Sequence, residues 1–317
     1  MYLGIEIGGT KLQLGLGEGD GVVAGLWRGR VDVQEGPEGI RRQITAAVPE
    51  LLAKAGVERS RLRGVGIGFG GPVDDATHTV IKSHQIEGWD DFPLADWISD
   101  LLDSPAVLGN DADVAGLAEA LFGAGKGLSP IFYITIGSGI GGGLIINGEI
   151  YRGCGRGAAE IGHMTFFNGE GFCTLESVAS GWGIAERVRE LLGSDARHRR
   201  SLLVRLVHGD LSRLTAEHVA RAAQEGDLFA RQRLGDTWDY LAEAIRNVLA
   251  LLCPRRIVIG GGVALMGEEL LFAPLRKLVA DRAFKPFAKC YDIVPAALGE
   301  EVVVHGALAL ARKRLGG

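Results

Sequence analysis

Two stretches of this chain repeat one design, and that repetition constrains the fold more than any other feature. Leu3-Gly-Ile-Glu-Ile-Gly-Gly-Thr-Lys-Leu-Gln-Leu-Gly-Leu16 reads as an apolar strand, a tight glycine turn and a second alternating strand. Ile131-Phe-Tyr-Ile-Thr-Ile-Gly-Ser-Gly-Ile-Gly-Gly-Gly-Leu-Ile-Ile-Asn147 reads the same way, with a Gly-hydroxyl-Gly turn. The turns lie about 130 residues apart, far beyond the periods of solenoids and propellers, so one duplication of a whole domain is the natural explanation. Two similar domains, each offering a glycine turn to a shared cleft, would clamp a polyphosphate.

The first turn is Gly8-Gly9-Thr10-Lys11. Successive glycines carry no Cβ, so backbone N–H groups can approach an anion closely. Thr10 adds a hydroxyl, Lys11 a positive charge, and Glu6 a carboxylate where a hydrated metal could sit. Taken alone, the turn reads better as an ordinary hairpin that uses Gly-Gly because it needs φ > 0. The second turn shifts the weight toward a ligand.

A length of 317 residues allows two domains with full cores. Hydrophobic content of 47% with 23% charged residues is that of a soluble globular protein. The net charge of −5 and the lack of a basic run give no indication of a nucleic-acid-binding surface. Cys154, Cys173, Cys253 and Cys290 are scattered, which suits a reducing cytoplasm better than a disulfide framework. The first strand begins at once with no basic leader, so no signal peptide is expected. The uncharged run from Gly127 to Gly148 is long enough for a bilayer, but its glycines and strand-turn-strand pattern read as buried sheet.

After the opening hairpin the pattern predicts a strand over Val22–Arg28 and an amphipathic helix over Gly36–Ala55, with Ile40, Ile44, Ala47, Val48, Leu51 and Leu52 at helical spacing. It then predicts a buried strand at Leu62–Gly68, a loop at Val80–Trp89, a helix at Phe92–Leu102, a brief strand at Ala106–Leu108 and a helix to about Phe122. In the second half Tyr151–Gly181 reads as irregular. Helices are expected near Gly183–Leu192, Thr215–Ala223, Asp227–Leu252, Gly267–Val279 and Val304–Leu315, with strands at Ile257–Ile259 and Tyr291–Pro295. This is a mixed α/β layering.

Asn110-Asp111 follows a short strand and opens a helix, where either residue is a good N-cap. A carboxylate there also faces the ligand crevice of an open α/β sheet. Glu160 and His163 are either solvated loop residues or a polar rim for a hydroxylated ligand. Cys173 and His163 supply too few ligands for tetrahedral zinc. Gly260-Gly261-Gly262 is a bare turn or a place where a nucleotide lies on backbone.

The ordered set of motifs resembles the ROK family (repressors, open-reading-frame proteins and sugar kinases) within the actin-like ATPase superfamily, almost end to end. The resemblance rests on Gly4-Ile-Glu-Ile-Gly-Gly-Thr-Lys11, Gly68-Phe-Gly-Gly-Pro-Val-Asp74, Gly88-Trp-Asp-Asp-Phe-Pro-Leu94 and Asn110-Asp-Ala112. It continues through Ile136-Gly-Ser-Gly-Ile-Gly-Gly-Gly143, Glu160-Ile-Gly-His163, Leu175-Glu-Ser-Val-Ala-Ser-Gly181 and Ile259-Gly-Gly-Gly-Val263.

The resemblance implies an α/β fold of two actin-like (ribonuclease H-like) domains flanking a nucleotide and sugar cleft. The expected domains are 1–109, onto which a C-terminal helix of about 303–317 returns, and 110–302. It implies a cytoplasmic, glucokinase-like sugar kinase that takes ATP and Mg2+ and phosphorylates a hexose or N-acetylhexosamine, with a homodimer common among relatives. By motif, Asp111 is the expected general base, and Gly71, Asn110, Glu160, His163 and Glu176 line the sugar. Gly9, Thr10, Lys11, Gly137, Ser138 and Gly139 would surround the phosphates, and Gly261 and Gly262 would lie under the nucleoside. Glu6 would serve magnesium through water. Phosphoryl transfer asks mainly for positioning and charge neutralisation, so a weakly basic carboxylate suffices to orient the hydroxyl and take its proton late.

Three departures stand out. Glu6 replaces the family's Asp, keeping the charge and adding a methylene, which bears on metal geometry and turnover. The family's zinc motif is collapsed to Gly169-Glu-Gly-Phe-Cys173, so no structural zinc is expected. His84-Gln85 replaces the usual Pro-Asn, so a shifted sugar preference is expected. A non-catalytic sugar-binding sensor is the alternative, although no helix-turn-helix fits before the first turn and Asn110-Asp111 is retained. A different acyl or sugar phosphate chemistry on the same ATPase fold is a third reading.

Overall fold

The structure, a computed structural model, describes residues 1–74, 76–83, 86–169, 171–194 and 200–316. In chain order it begins with β1 (Tyr2–Ile7), β2 (Lys11–Gly17), β3 (Gly25–Arg30), α1 (Gly36–Ala55), β4 (Gly64–Phe69), β5 (Val73–Asp74) and β6 (Thr79–Val80). Then come α2 (Leu94–Leu102), β7 (Ala106–Asn110), α3 (Asp111–Leu121), β8 (Ile131–Ile136), β9 (Ile140–Ile146), β10 (Glu149–Ile150), β11 (Thr165–Phe167) and β12 (Phe172–Thr174). The rest is α4 (Leu175–Ala179), α5 (Gly181–Ser194), α6 (Leu202–Leu206), α7 (Ala216–Gln224), α8 (Leu228–Leu252), β13 (Arg256–Gly260), α9 (Ala273–Arg282), β14 (Asp292–Pro295) and α10 (Val302–Leu315).

Two compact units emerge. One holds Met1–Tyr133, Gly143–Ala159 and the stretch from Ala296; the other holds Ile134–Gly142 and Glu160–Pro295. The first contains a sheet in the order β3-β2-β1-β4-β7, where β1 runs antiparallel to β2 and parallel to β4, and β7 continues parallel to β4. A second five-stranded sheet has the order β10-β9-β8-β13-β14.

Alternation along the first sheet explains its two faces. Leu3, Ile5, Ile7, Leu12, Leu14, Leu16, Val65 and Ile67 form one buried face with Ile40, Ile44, Ala47, Val48 and Leu51 of α1. Each fully buried Leu, Ile or Val among these contributes roughly 1.5–3 kcal/mol. The alternate positions are Gly4, Gly15, Gly66 and Gly68, and they lie under α10. A Cβ on Gly66 would stand 1.9 Å from the carbonyl oxygen of Ala307, so helix backbone rests directly on strand. α1 ends where Gly56 turns left-handed at φ 64 and returns its N–H to the Leu52 and Ala53 carbonyls.

In the second unit α8 buries Leu234, Trp238, Leu241, Ile245 and Val248, and the indole of Trp238 donates to the Leu270 carbonyl at 2.7 Å. The helix starts under the Asp227 cap, whose carboxylate accepts from Ala230 N at 2.9 Å.

Periodicity located α1 at its observed bounds, and the long elements fall within a few residues of expectation. The main correction is Tyr151–Gly181, which is not wholly irregular. It forms the β11–β12 hairpin and α4, opened by Thr174, whose hydroxyl accepts from Ser177 N. The helix expected from Gly267 begins as a π-helical turn at Glu268–Phe272 and becomes regular only at Ala273. The uncharged run 127–148 forms β8 and β9. Among the described residues no helix is long and apolar enough to cross a membrane.

Candidate active site

Strand register assembles the site residues of the first unit. Glu6 pairs with Gly68 and Gly68 with Gly109, so Ile7, Phe69 and Asn110 form the next row. The residues immediately beyond, Gly8, Gly70 and Asp111, therefore share the carboxyl edge of three parallel strands. Open α/β sheets hold their ligands at that edge. Gly70 N donates to the Ile7 carbonyl at 2.9 Å, and a Cβ on Gly70 would stand 3.4 Å from Asp111 Oδ2.

Asn110 performs the capping that either residue of the pair offers. Its Oδ1 accepts from Ala112 N at 3.0 Å and Asp113 N at 3.3 Å, while its Nδ2 donates to the Gly71 carbonyl at 3.0 Å. Asp111 is half-buried, and its Oδ1 accepts from Ala112 N at 2.8 Å. Gly71 is held close: a Cβ there would meet the Lys82 carbonyl oxygen at 2.6 Å. His84 and Gln85 lie outside the described residues.

Glu6 is buried, and its Oε1 pairs with Lys11 Nζ at 2.9 Å. Lys11 Nζ also donates to the Glu300 carbonyl at 3.0 Å. Burial pushes the Glu6 carboxyl up to about 7, against the pull of Lys11, with the charges of Asp111 and Glu300 adding to the rise. Glu6 Oε2 is buried and accepts no hydrogen bond. The turn itself closes through Gly8 N to the Lys11 carbonyl at 3.0 Å. Gly8 is not left-handed, and a Cβ on it would make only ordinary contact, 3.4 Å from the Lys11 carbonyl oxygen. The expectation that this glycine supplies φ > 0 is therefore corrected: neither torsion nor packing demands it.

The second unit gathers the other predicted residues. Gly137 N donates to the Gly139 carbonyl at 2.9 Å, and Gly181 N donates to the Gly137 carbonyl at 2.8 Å. Glu176 Oε2 accepts from Ile140 N at 2.7 Å and fills the space where a Cβ on Gly139 would sit. Gly261 is left-handed at φ 85 and its Cβ would stand 2.5 Å from the Ile136 carbonyl oxygen, so only glycine fits there. At Gly137 and Gly262 an added methyl would meet nothing within 4 Å. Glu160 and His163 flank a short 3-10 turn, where His163 N donates to the Glu160 carbonyl at 3.1 Å and both side chains are exposed. That turn is seated on β9, because a Cβ on Gly162 would meet the Ile140 carbonyl oxygen at 2.2 Å.

Cys173 Sγ donates to the Phe166 carbonyl at 3.4 Å across the β11–β12 hairpin, whose Glu170 lies outside the described residues. No group of three or more His, Cys, Asp or Glu residues is placed to hold a metal among the described residues. Sequence reasoning passed over Arg152 and Asp113, which form a buried ion pair in the first unit. An arginine in a glycine-rich stretch carries no spacing signal.

The family model described as ROK family matches residues 2–314. The chain is 32% identical to a glucokinase of Thermotoga maritima over 99% of its own length and 98% of that protein. It is 34% identical to a glucokinase of Halalkalibacterium halodurans, covering 96% of this chain and 93% of that one. Among solved structures, a ROK family glucokinase from Streptomyces griseus in complex with glucose and AMPPNP superposes with a TM-score of 0.80 at 29% identity, covering 98% of this chain and 99% of the other. The chain belongs to the ROK family, with its mixed α/β, actin-like ATPase fold.

Proposed function

We propose that this protein is a sugar kinase that moves the γ-phosphoryl group of Mg-ATP to a hydroxyl of glucose or a related hexose or N-acetylhexosamine, with Asp111 as general base. The observation that carries the reading is the Asp111 carboxylate at the carboxyl edge of β1, β4 and β7, beside Gly70 and close enough to Glu6 to raise its pKa. Full-length similarity to glucokinases supports the sugar, and the relative's AMPPNP complex supports ATP as donor.

In this mechanism Asp111 orients the attacking hydroxyl and accepts its proton as the bond to phosphorus forms. Asn110 keeps one amide N–H on Gly71 and offers the second to a sugar hydroxyl. Glu160, His163 and Glu176 hold other hydroxyls, Glu176 through the oxygen not engaged by Ile140 N. Gly9, Thr10 and Lys11, with Gly137, Ser138 and Gly139, cradle phosphate oxygens, and Gly261 and Gly262 lie under the nucleoside. Magnesium is held in proteins by one or two carboxylates, substrate phosphates and its own waters. Glu6 Oε2, buried and accepting nothing, is an acceptor that a water of such an ion would satisfy, so the residues fit the ion. When bound, the ion neutralises charge on the transferring group.

The test is ADP release with Mg-ATP across hexoses and N-acetylhexosamines, beside Asp111→Asn. Sugar-dependent turnover that the variant abolishes is the expected result. Sugar-induced thermal stabilisation without turnover would instead make the protein a sugar-binding sensor.

A further inference from the structure

Resting on the sugar-kinase reading, we infer that Arg152 is a positioning residue, the second donor of a clamp that sets the acceptor-side segment Gly71–Asp74 against the head of α3. Its guanidinium is ion-paired with Asp113 in the first turn of α3, with side-chain exposures of 11% and 3%. The same guanidinium donates through Nη2 to the Val73 carbonyl at 3.2 Å. Asn110 Nδ2 already holds the Gly71 carbonyl at 3.0 Å.

Carbonyls two residues apart in an extended segment point the same way. One side of Gly71-Pro72-Val73 is thus tied twice to the opening turn of α3, by Asn110 directly and by Asp113 through Arg152. Asp111 lies between those two anchors in sequence, so the clamp fixes the distance from the sugar-facing backbone to the base. Arg156 Nε extends the hold to Asp74 Oδ2 at 3.4 Å. A buried ion pair is a poor device for stability alone. A planar guanidinium that bridges a carboxylate and a carbonyl is a good one for geometry.

The experiment compares Arg152→Met, Arg152→Lys and the neutral pair Asp113→Asn/Arg152→Gln with wild type. It reads steady-state kinetics in both substrates and hydrogen exchange of amides 73–81, including Ile81 N, which donates to the Pro72 carbonyl at 3.0 Å. Arg152→Met is expected to raise KM for the sugar about tenfold, the loss of one charge-assisted hydrogen bond. KM for ATP should stay within about twofold, while exchange of Ile81 N accelerates about tenfold. Arg152→Lys, which keeps the charge but cannot span both partners, should fall between. If Arg152→Met fails to fold, the neutral pair carries the same expectation. Unchanged sugar KM and unchanged exchange in the folded variants, or equal losses for both substrates, would overturn the clamp. Wild type without turnover on any sugar would sink the kinase reading instead. The exchange data and sugar-induced thermal shifts would then still decide whether Arg152 fixes this segment.

Discussion

The β1–β2 and β8–β9 turns share a strand-glycine-strand design and differ in almost everything around it. The first is charged: Glu6 and Lys11 are paired at 2.9 Å, and Asp111 lies close enough to raise the Glu6 pKa. The second carries no charge of its own. It is braced from outside by the Glu176 carboxylate on Ile140 N, by Gly181 N, and by Gly261 pressed onto Ile136. Duplication can copy a backbone cradle, whereas the chemistry comes from neighbours that each copy acquires separately. The glycines also divide into two kinds. Gly261 is required by the fold, while Gly8, Gly137 and Gly262 are not, which leaves room for something outside the chain as their reason.

The largest effect that would sharpen this contrast is on the charged side. Asp111→Asn is expected to lower kcat about a thousandfold. Sugar affinity, followed by thermal shift, should stay within a few-fold. Loss of binding with kcat unchanged would make Asp111 a binding group only.

On the uncharged side, Gly261→Ala forces a methyl into left-handed backbone against the Ile136 carbonyl oxygen, at a cost of about 3 kcal/mol in stability. Urea unfolding reads it directly. A neutral result would move Gly261 from the fold-required set to the ligand-required one.

Glu6→Gln tests the buried charge through pH. A carboxyl raised from 4.5 to about 7 holds its proton in the folded state across a window where the unfolded chain has released it. Its contribution to stability is therefore fully present below about 4.5 and lost as pH rises through about 7. Measured without metal, the stability of Glu6→Gln relative to wild type should climb by up to about 3 kcal/mol between pH 4.5 and 7 and level off above. A flat difference would mean the Lys11 pair offsets burial completely.

The smallest effect on stability is the most informative about ligand. Gly137→Ala should leave the unfolding free energy measured in urea within about 0.5 kcal/mol of wild type, because nothing lies within 4 Å of the new methyl. It should nonetheless raise KM for ATP about tenfold if phosphate oxygens approach that backbone. An unchanged KM would assign the open turn to something other than nucleotide.

How far the sequence could be read follows from the range of each interaction. Ile40, Ile44, Val48 and Leu51 announce α1 because helical periodicity is local. The β11–β12 hairpin stayed hidden because its strands are three residues each, too short for alternation to register. Asn110 and Asp111 were legible as a pair, but their division of labour was not, since it depends on Asn110 reaching back to Gly71. Glu176 illustrates the same limit: resemblance placed it on sugar, and only the fold reveals its bond to Ile140 N, 36 residues away. Arg152 meets Asp113 across 39 residues and Val73 across 79, so no motif window contains the set.

The glycine face of the first sheet sets an order of events during synthesis. Strands β1, β2 and β4 are made early, yet the surface they reserve is shaped for α10, whose Ala307 carbonyl oxygen would stand only 1.9 Å from a methyl on Gly66. That surface stays bare until residues 302–315 leave the ribosome. The unit spanning Ile134–Gly142 and Glu160–Pro295 has all its residues available before then. Strands β1, β2 and β4 thus wait for a helix about 240 residues or more further along the chain, and a nascent chain halted short of α10 would present a flat, uncovered sheet to its surroundings.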